Sequence, residues 1–244
     1  MKFFNWLSEQ IFPENYTCEI CGCEIFDGKR LCAECAKTVT FNDGETCPVC
    51  GRKTESSSLC LECKALAPSY EKAVSAIVYK DGGAKLVHKF KNGGAYLKEY
   101  FADLLKDKCE CFTDADCICF VPMTSKAERN RGYNQAELLA KSLSERLNIP
   151  LLKDGLSKVK ATEPQKSLKR YERENNLKGC FKAERKAVKD KTILLIDDVL
   201  TTGATAEMIC TELKRKGAKK VYLATVASVE YKASNKETSK SGRD

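Results

Sequence analysis

The stretch ILLIDDVLTTGAT, residues 193–205, sets aliphatic side chains against Asp197 and Asp198 and continues through Leu200, Thr201, Thr202, Gly203, Ala204 and Thr205. A turn leading from a strand into a helix N-terminus presents unpaired backbone amides at the positive end of the helix dipole, which favours an anion. The hydroxyls of Thr201, Thr202 and Thr205 add donors, and Gly203 lets the backbone approach a ligand with no Cβ in the way. The two carboxylates would repel the same phosphate. Their oxygens suit sugar hydroxyls or a divalent cation instead, so a phosphorylated ribose satisfies both halves of the motif. A Walker B strand is the competing reading, but its partner GxxxxGK[ST] occurs nowhere in the chain. An acidic helix N-terminus on an ordinary α/β fold explains one Asp, not two followed by a Thr/Gly turn.

Thiols form the second group. Of 15 cysteines, eight make four CxxC knuckles before residue 66: Cys18/Cys21, Cys32/Cys35, Cys47/Cys50 and Cys60/Cys63. Two knuckles supply the four tetrahedral sulfurs of a structural zinc, so four knuckles imply two zincs. An internal repeat suggests how they pair. CEICG with LCAEC matches CPVCG with LCLEC, displaced by 28 or 29 positions. Sequential pairing follows, Cys18, Cys21, Cys32 and Cys35 on one ion and Cys47, Cys50, Cys60 and Cys63 on the other, with interleaved pairing as the alternative. Gly22 and Gly51 close the first knuckle of each unit, where a left-handed residue turns backbone amides toward sulfur. Both sites are expected to be closed and structural. A dithiol redox relay fits less well, since such motifs come singly and in a βαβ setting. Cys23, Cys109, Cys111, Cys117, Cys119, Cys180 and Cys210 lack this spacing and are expected to fill the core. His88, in a basic Gly-containing segment, is expected to be structural.

Positioning these groups requires a scaffold. After Pro68 apolar runs alternate with helical patterns: AVSAIVYK, CICFVP, KTILLIDD and VYLATVA as strands, and YLKEYFADLL, NQAELLAKSLSERL and GATAEMICTELKRKG as helices. Strands apolar on both faces with helices between them predict an α/β fold, a mostly parallel sheet covered on both sides. Ligands of such sheets sit beyond the carboxyl ends of the strands. That selects three loops: after Val121, about 158 to 178, and after Asp198.

Composition sets the limits. The chain has 244 residues, 43% of them hydrophobic, and a net charge of +8. Up to Ala65 it carries 7 Lys and Arg against 10 Asp and Glu, which leaves +11 for the remainder. A basic larger part favours phosphate-bearing partners, either small ligands or nucleic acid. In the N-terminal MKFFNWLSEQIFP, Glu9 interrupts the apolar cluster and no small-residue cleavage site follows. The expectation there is an amphipathic helix packed on its own domain, with neither a signal peptide nor membrane insertion. Free thiols in this number fit a reducing cytoplasm. The polar tail YKASNKETSKSGRD is expected to be disordered.

ILLIDDVLTTGAT resembles the phosphoribosyl pyrophosphate (PRPP) binding signature of type I phosphoribosyltransferases. The Cys-rich start, VPMTSKAERNRGYNQAELLAKSL, TEPQKSLKRYERENNLKGCF and that signature, in this order, resemble the ComF (ComFC) competence-protein family over about residues 5–230. The resemblance implies a double zinc ribbon at 16–67 and a type I phosphoribosyltransferase-like domain at 68–230, between the amphipathic helix expected at 1–15 and the polar tail at 231–244. It implies PRPP bound with Mg²⁺, Asp197 and Asp198 on the ribose hydroxyls, and residues 200–205 around the 5-phosphate. The loop after Val121 and Pro122, leading to Arg129, Arg131 and Gly132, corresponds to the pyrophosphate loop. Residues 160–178 correspond to a catalytic flap from which Lys166 or Arg173 closes over the site. The implied activity is phosphoribosyl transfer to an unknown acceptor in natural competence, a cytoplasmic process involving incoming single-stranded DNA, a helicase and recombination loaders. The alternative is a non-catalytic single-stranded-DNA-handling factor for which PRPP is a regulatory ligand. Tyr133 and Tyr171 are too few to form an obvious stacking platform.

Overall fold

A computed structural model describes residues 17–159 and 179–230. Lys166, Arg173, Tyr171, the flap at 160–178, the N-terminal helix and the polar tail lie outside the described residues. In chain order the elements are α1 (Ala33–Lys37), α2 (Leu61–Leu66), β1 (Lys72–Val78), α3 (Asp81–Lys91), α4 (Leu97–Cys109), β2 (Cys117–Phe120) and α5 (Ser125–Arg131). They continue with α6 (Gln135–Leu147), β3 (Leu156–Lys158), β4 (Phe181–Ala183), α7 (Arg185–Val188), β5 (Thr192–Leu200), α8 (Ala204–Arg215) and β6 (Lys220–Ser228).

The apolar runs pair as a four-stranded parallel sheet in the order β1-β6-β5-β2. Alternation along β5 shows why both faces must be covered. Leu194 and Ile196 join a core with Leu86, Phe90, Phe101, Leu105, Leu139 and Leu143, from α3, α4 and α6. Ile193 and Leu195 point the other way, into a core with Ile209, Cys210 and Leu213 of α8 and Phe181 of the β3–β4 hairpin. With side chains of period two, one strand thus feeds two hydrophobic layers.

The Cys-rich region extends the sheet. Asn42 N–H donates to Ala76 O at 2.9 Å and Val78 N–H to Thr40 O at 2.8 Å, which covers the free edge of β1 with an antiparallel segment. At the opposite edge Ile118 bridges Leu151.

All seven expected segments form. The sequence pattern did not reveal α3, α5 or the β3–β4 hairpin. α5 is a short polar helix with no buried residue, so it carries no apolar period to read. β5 also runs past the expected end at Asp198 to Leu200, so the acidic pair lies within the strand, with Asp197 in register with Thr225 of β6. Among the described residues no helix is long and apolar enough to cross a membrane.

Candidate functional site

Asp197 and Asp198 sit near the carboxyl end of β5, where the buried run gives way to partly accessible residues. Asp198 N–H donates to Asp197 Oδ1 at 2.8 Å. Burial and the neighbouring Asp198 charge push the Asp197 carboxyl up to about 7, against the opposing pull of that amide and of Lys91 and Lys158. Lys91, at the last turn of α3, forms an ion pair with Asp198 Oδ2 at 3.0 Å. Lys158 on β3 feels the Asp197 charge, lies 5.5 Å from the Phe181 ring centroid, and is itself lowered by burial. The acids therefore face two cations from separate elements.

The turn after β5 has the expected shape. Gly203 caps α8 with φ of 81°, a left-handed conformation that glycine adopts freely, and Ala204 N–H donates to Thr202 Oγ1 at 3.4 Å. Thr201 is exposed, while Thr202, Gly203 and Thr205 are half-buried, so the first turn of α8 is open to a ligand.

Strand β2 delivers the neighbouring loop. Val121 N–H donates to Ile196 O at 2.9 Å, which sets the start of the 121–134 loop beside Asp197. Thr124 caps α5 through Ala127 N–H, and Gly132 ends it with φ of 91°. Arg129 and Arg131 are exposed on that helix. Arg131 donates to Gln135 Oε1 at 2.9 Å, and Asn134 Nδ2 donates to Val121 O at 3.0 Å, so the buried Asn134 and Gln135 hold both ends of the loop. Tyr133 donates its hydroxyl to Phe90 O at 2.6 Å, which ties this loop to α3.

Lys91, Lys158 and Gln135 were not singled out from the sequence. Lys91 stands three residues after His88 in KFKNGG, a segment with no motif of its own, and only the packing of α3 brings it to Asp198. His88 is exposed beside Asn92.

The thiols gather in two groups. Cys47, Cys50, Cys60 and Cys63 are all buried, with sulfurs within 4.8 Å of one another, and Cys18, Cys21, Cys23 and Cys32 form the other set. Cys50 and Cys60 Sγ are 3.7 Å apart and Cys21 and Cys32 Sγ 3.9 Å. Tetrahedral zinc with bonds of about 2.3 Å separates its sulfurs by about 3.8 Å, so these donor sets fit the ion. Cys32 and Cys60 cap α1 and α2, accepting N–H bonds from Cys35 and Cys63. Gly22 and Gly51 adopt the left-handed φ expected of them. Burial raises the Cys47 thiol, but the backbone amides of Cys60, Cys50 and Val49 outweigh it and bring it down to about 7, toward the thiolate a metal binds.

Two expectations are corrected. Cys23 is exposed and belongs to the first thiol group, and Cys111 is exposed rather than core. Cys35, expected as a first-site ligand, is buried with its thiol within hydrogen-bonding reach of Cys21, Cys32 and Cys18, the three thiols expected to share its ion.

The double zinc ribbon domain matches residues 7–64 and the phosphoribosyl transferase domain residues 134–242. The DNA utilization protein YhgH of Salmonella typhi is 31% identical over 196 residues, 77% of this chain and 86% of that protein. The chain belongs to the competence protein F family. Competence protein F of Haemophilus influenzae is 28% identical, covering 85% of this chain and 94% of its own length. Competence protein ComFC of Bacillus subtilis is 25% identical, with 78% and 80% covered. This family member thus combines a double zinc ribbon, whose two clusters of four thiols support structural zinc, with a phosphoribosyl transferase domain built on a parallel sheet covered by helices.

Proposed function

We propose that this competence protein F family member binds PRPP with Mg²⁺ and transfers its phosphoribosyl group to an acceptor. The observation that carries this reading is the continuity of Asp197, Asp198 and the Gly203 turn at one strand end, beside a loop bearing Arg129 and Arg131. In the transfer an acceptor atom bonds to C1 while the C1–oxygen bond to pyrophosphate breaks, and pyrophosphate leaves with the electron pair. Mg²⁺ would neutralise charge on the departing oxygens.

The chain's own residues supply the rest. Asp197 and Asp198 accept from the ribose hydroxyls and orient the ring. Residues 200–205 receive the 5-phosphate through amides and hydroxyls at the start of α8. Arg129 and Arg131, with Gly132 leaving room for the backbone, face the pyrophosphate, where charge builds in the transition state. Arg131 is held for this by Gln135. Lys91 offers a second cation that a Mg²⁺–ribose ligand would displace from Asp198. Lys166 and Arg173, outside the described residues, are further basic candidates for the leaving pyrophosphate. The test is release of pyrophosphate from PRPP across a panel of acceptors. Release that vanishes in Asp198→Asn supports turnover, and silence across the panel from a protein that binds PRPP contradicts it.

A second reading comes from the relatives, which are named for competence and for DNA utilization. On it the chain works in the cytoplasm on incoming single-stranded DNA, with a helicase and recombination loaders as partners and PRPP as a regulatory ligand. The +11 charge beyond Ala65 favours such a polyanion. A gel shift at low salt tests it. Retardation that weakens steeply with added salt supports direct binding, and none at any salt concentration contradicts it.

A further inference from the structure

The two ribbons are repeats, so a residue that differs between them has a local reason. Arg52 follows the glycine of CPVCG, and its counterpart 29 positions earlier, after CEICG, is Cys23. Glu62, between Cys60 and Cys63, has Glu34 as its counterpart, an exposed residue paired with Lys37 on the same helix. In the second ribbon Arg52 faces inward, and Glu62 is half-buried beside it. Arg52 is only 4% exposed, and its guanidinium bonds both the Glu62 carboxylate and the backbone carbonyl of Thr201, in the turn between β5 and α8.

An arginine is buried at a cost that must be offset by well-formed partners, and its planar fork reaches two acceptors at once where a lysine cannot. We propose that Arg52 is a positioning residue that fastens the anion-binding turn to the second zinc ribbon. The proposal deepens the ribose-phosphate reading of that turn and rests on it for the identity of the ligand.

Peptide geometry supplies the means. In a planar trans peptide the carbonyl oxygen and the following N–H point in opposite directions. With Thr201 O drawn toward Arg52, the Thr202 N–H is aimed to the far side, where a phosphate would approach the start of α8. The anchor itself is firm. Ala73 N–H donates to Val49 O at 2.7 Å, and a Cβ on Gly51 would collide with Ala73 O, so ribbon and β1 meet backbone to backbone. Leu200 and Ala204 share one apolar cluster with Cys47, Cys50, Cys60 and Cys63, which continues the support beneath the turn. The first ribbon joins the opposite core, through Cys18, Ile25, Leu31 and Cys35. Glu62 neutralises Arg52 and orients the fork.

The experiment uses the full zinc-loaded chain as wild type, Arg52→Lys, Arg52→Gln and Glu62→Gln. It measures zinc content, amide hydrogen exchange over peptides spanning 201–205, and ribose 5-phosphate affinity by calorimetry. Arg52→Lys keeps the charge but not the two-pronged contact, so it is expected to retain both zincs while exchange at 202–205 quickens about tenfold and affinity falls about tenfold, the scale of one charge-assisted hydrogen bond. Glu62→Gln should fall between it and wild type. Unchanged exchange at 202–205 in the arginine variants overturns the proposal, and so does loss of protection spread evenly along the chain with loss of zinc. A wild type that ignores ribose 5-phosphate while the exchange responds as stated would sink the ligand reading and leave the role of Arg52 standing.

Discussion

Asp197 keeps its proton to about pH 7 because its carboxyl is buried beside Asp198, and that shift has thermodynamic consequences. The unfolded chain releases the same proton near pH 4, so between about 4 and about 7 the folded form binds more protons than the unfolded one. Ligand-free stability therefore falls as pH rises through that window and levels off above it, and Asp197→Asn removes the slope. Chemical denaturation at pH 5, 6, 7 and 8 checks this. Binding of a cation-linked ligand has the opposite dependence, weakening as pH drops below about 7, since the cation needs the ionised carboxylate. Lys91→Met removes the partner of Asp198 across a partly buried ion pair, with side chains 27% and 18% exposed. We expect it to lower ligand-free stability by about 1–2 kcal/mol, measured by urea unfolding. The acids and the Gly203 turn were legible in the sequence because adjacent carboxylates and a Thr/Gly turn are uncommon after an aliphatic strand. Lys91, Lys158 and Arg52 were not, because each acquires its meaning only from an element distant in sequence, and Gln135 was not because a glutamine opening a helix four residues after Arg131 carries no motif of its own.

Among the elements, glycines separate conformational need from packing need. Gly203 and Gly51 both have positive φ, but a Cβ at Gly203 would meet nothing closer than 3.7 Å, whereas one at Gly51 would press into the backbone of β1. Gly203→Ala should cost about 1 kcal/mol, from the left-handed conformation alone. Gly51→Ala should cost several times more, because backbone has to move. Equal losses in urea unfolding would contradict this account of how the second ribbon docks. Strands and long helices were readable from their periodicity, since each buries a continuous face. α3 and α5 were hidden for different reasons. α5 buries nothing, and α3 opens with Asp81-Gly82-Gly83, where Gly82 and Gly83 are buried against Thr38 and Val78 and disguise a helix as a turn.

At the scale of the whole molecule, the two zinc ribbons serve opposite layers of one sheet. The second is buried in the core that underlies the turn between β5 and α8, while the first carries exposed Cys21 and Cys23. Two zincs per chain are expected by elemental analysis, and Cys50→Ser should lower the melting temperature more than Cys21→Ser, because a buried thiol group has no water to replace the lost ligand. The pairing of knuckles followed from the repeat, yet the place of Cys23 beside its neighbours is a fact of chain geometry that spacing alone does not carry. What the molecule holds at the strand ends is the central claim. Calorimetric titration of PRPP with Mg²⁺ into wild type and into the Asp197→Asn/Asp198→Asn double variant tests it most directly. Saturable 1:1 binding by the wild type, weakened at least about 100-fold in the variant, is the predicted result; equal affinity in the two proteins, or no binding by the wild type, would contradict it.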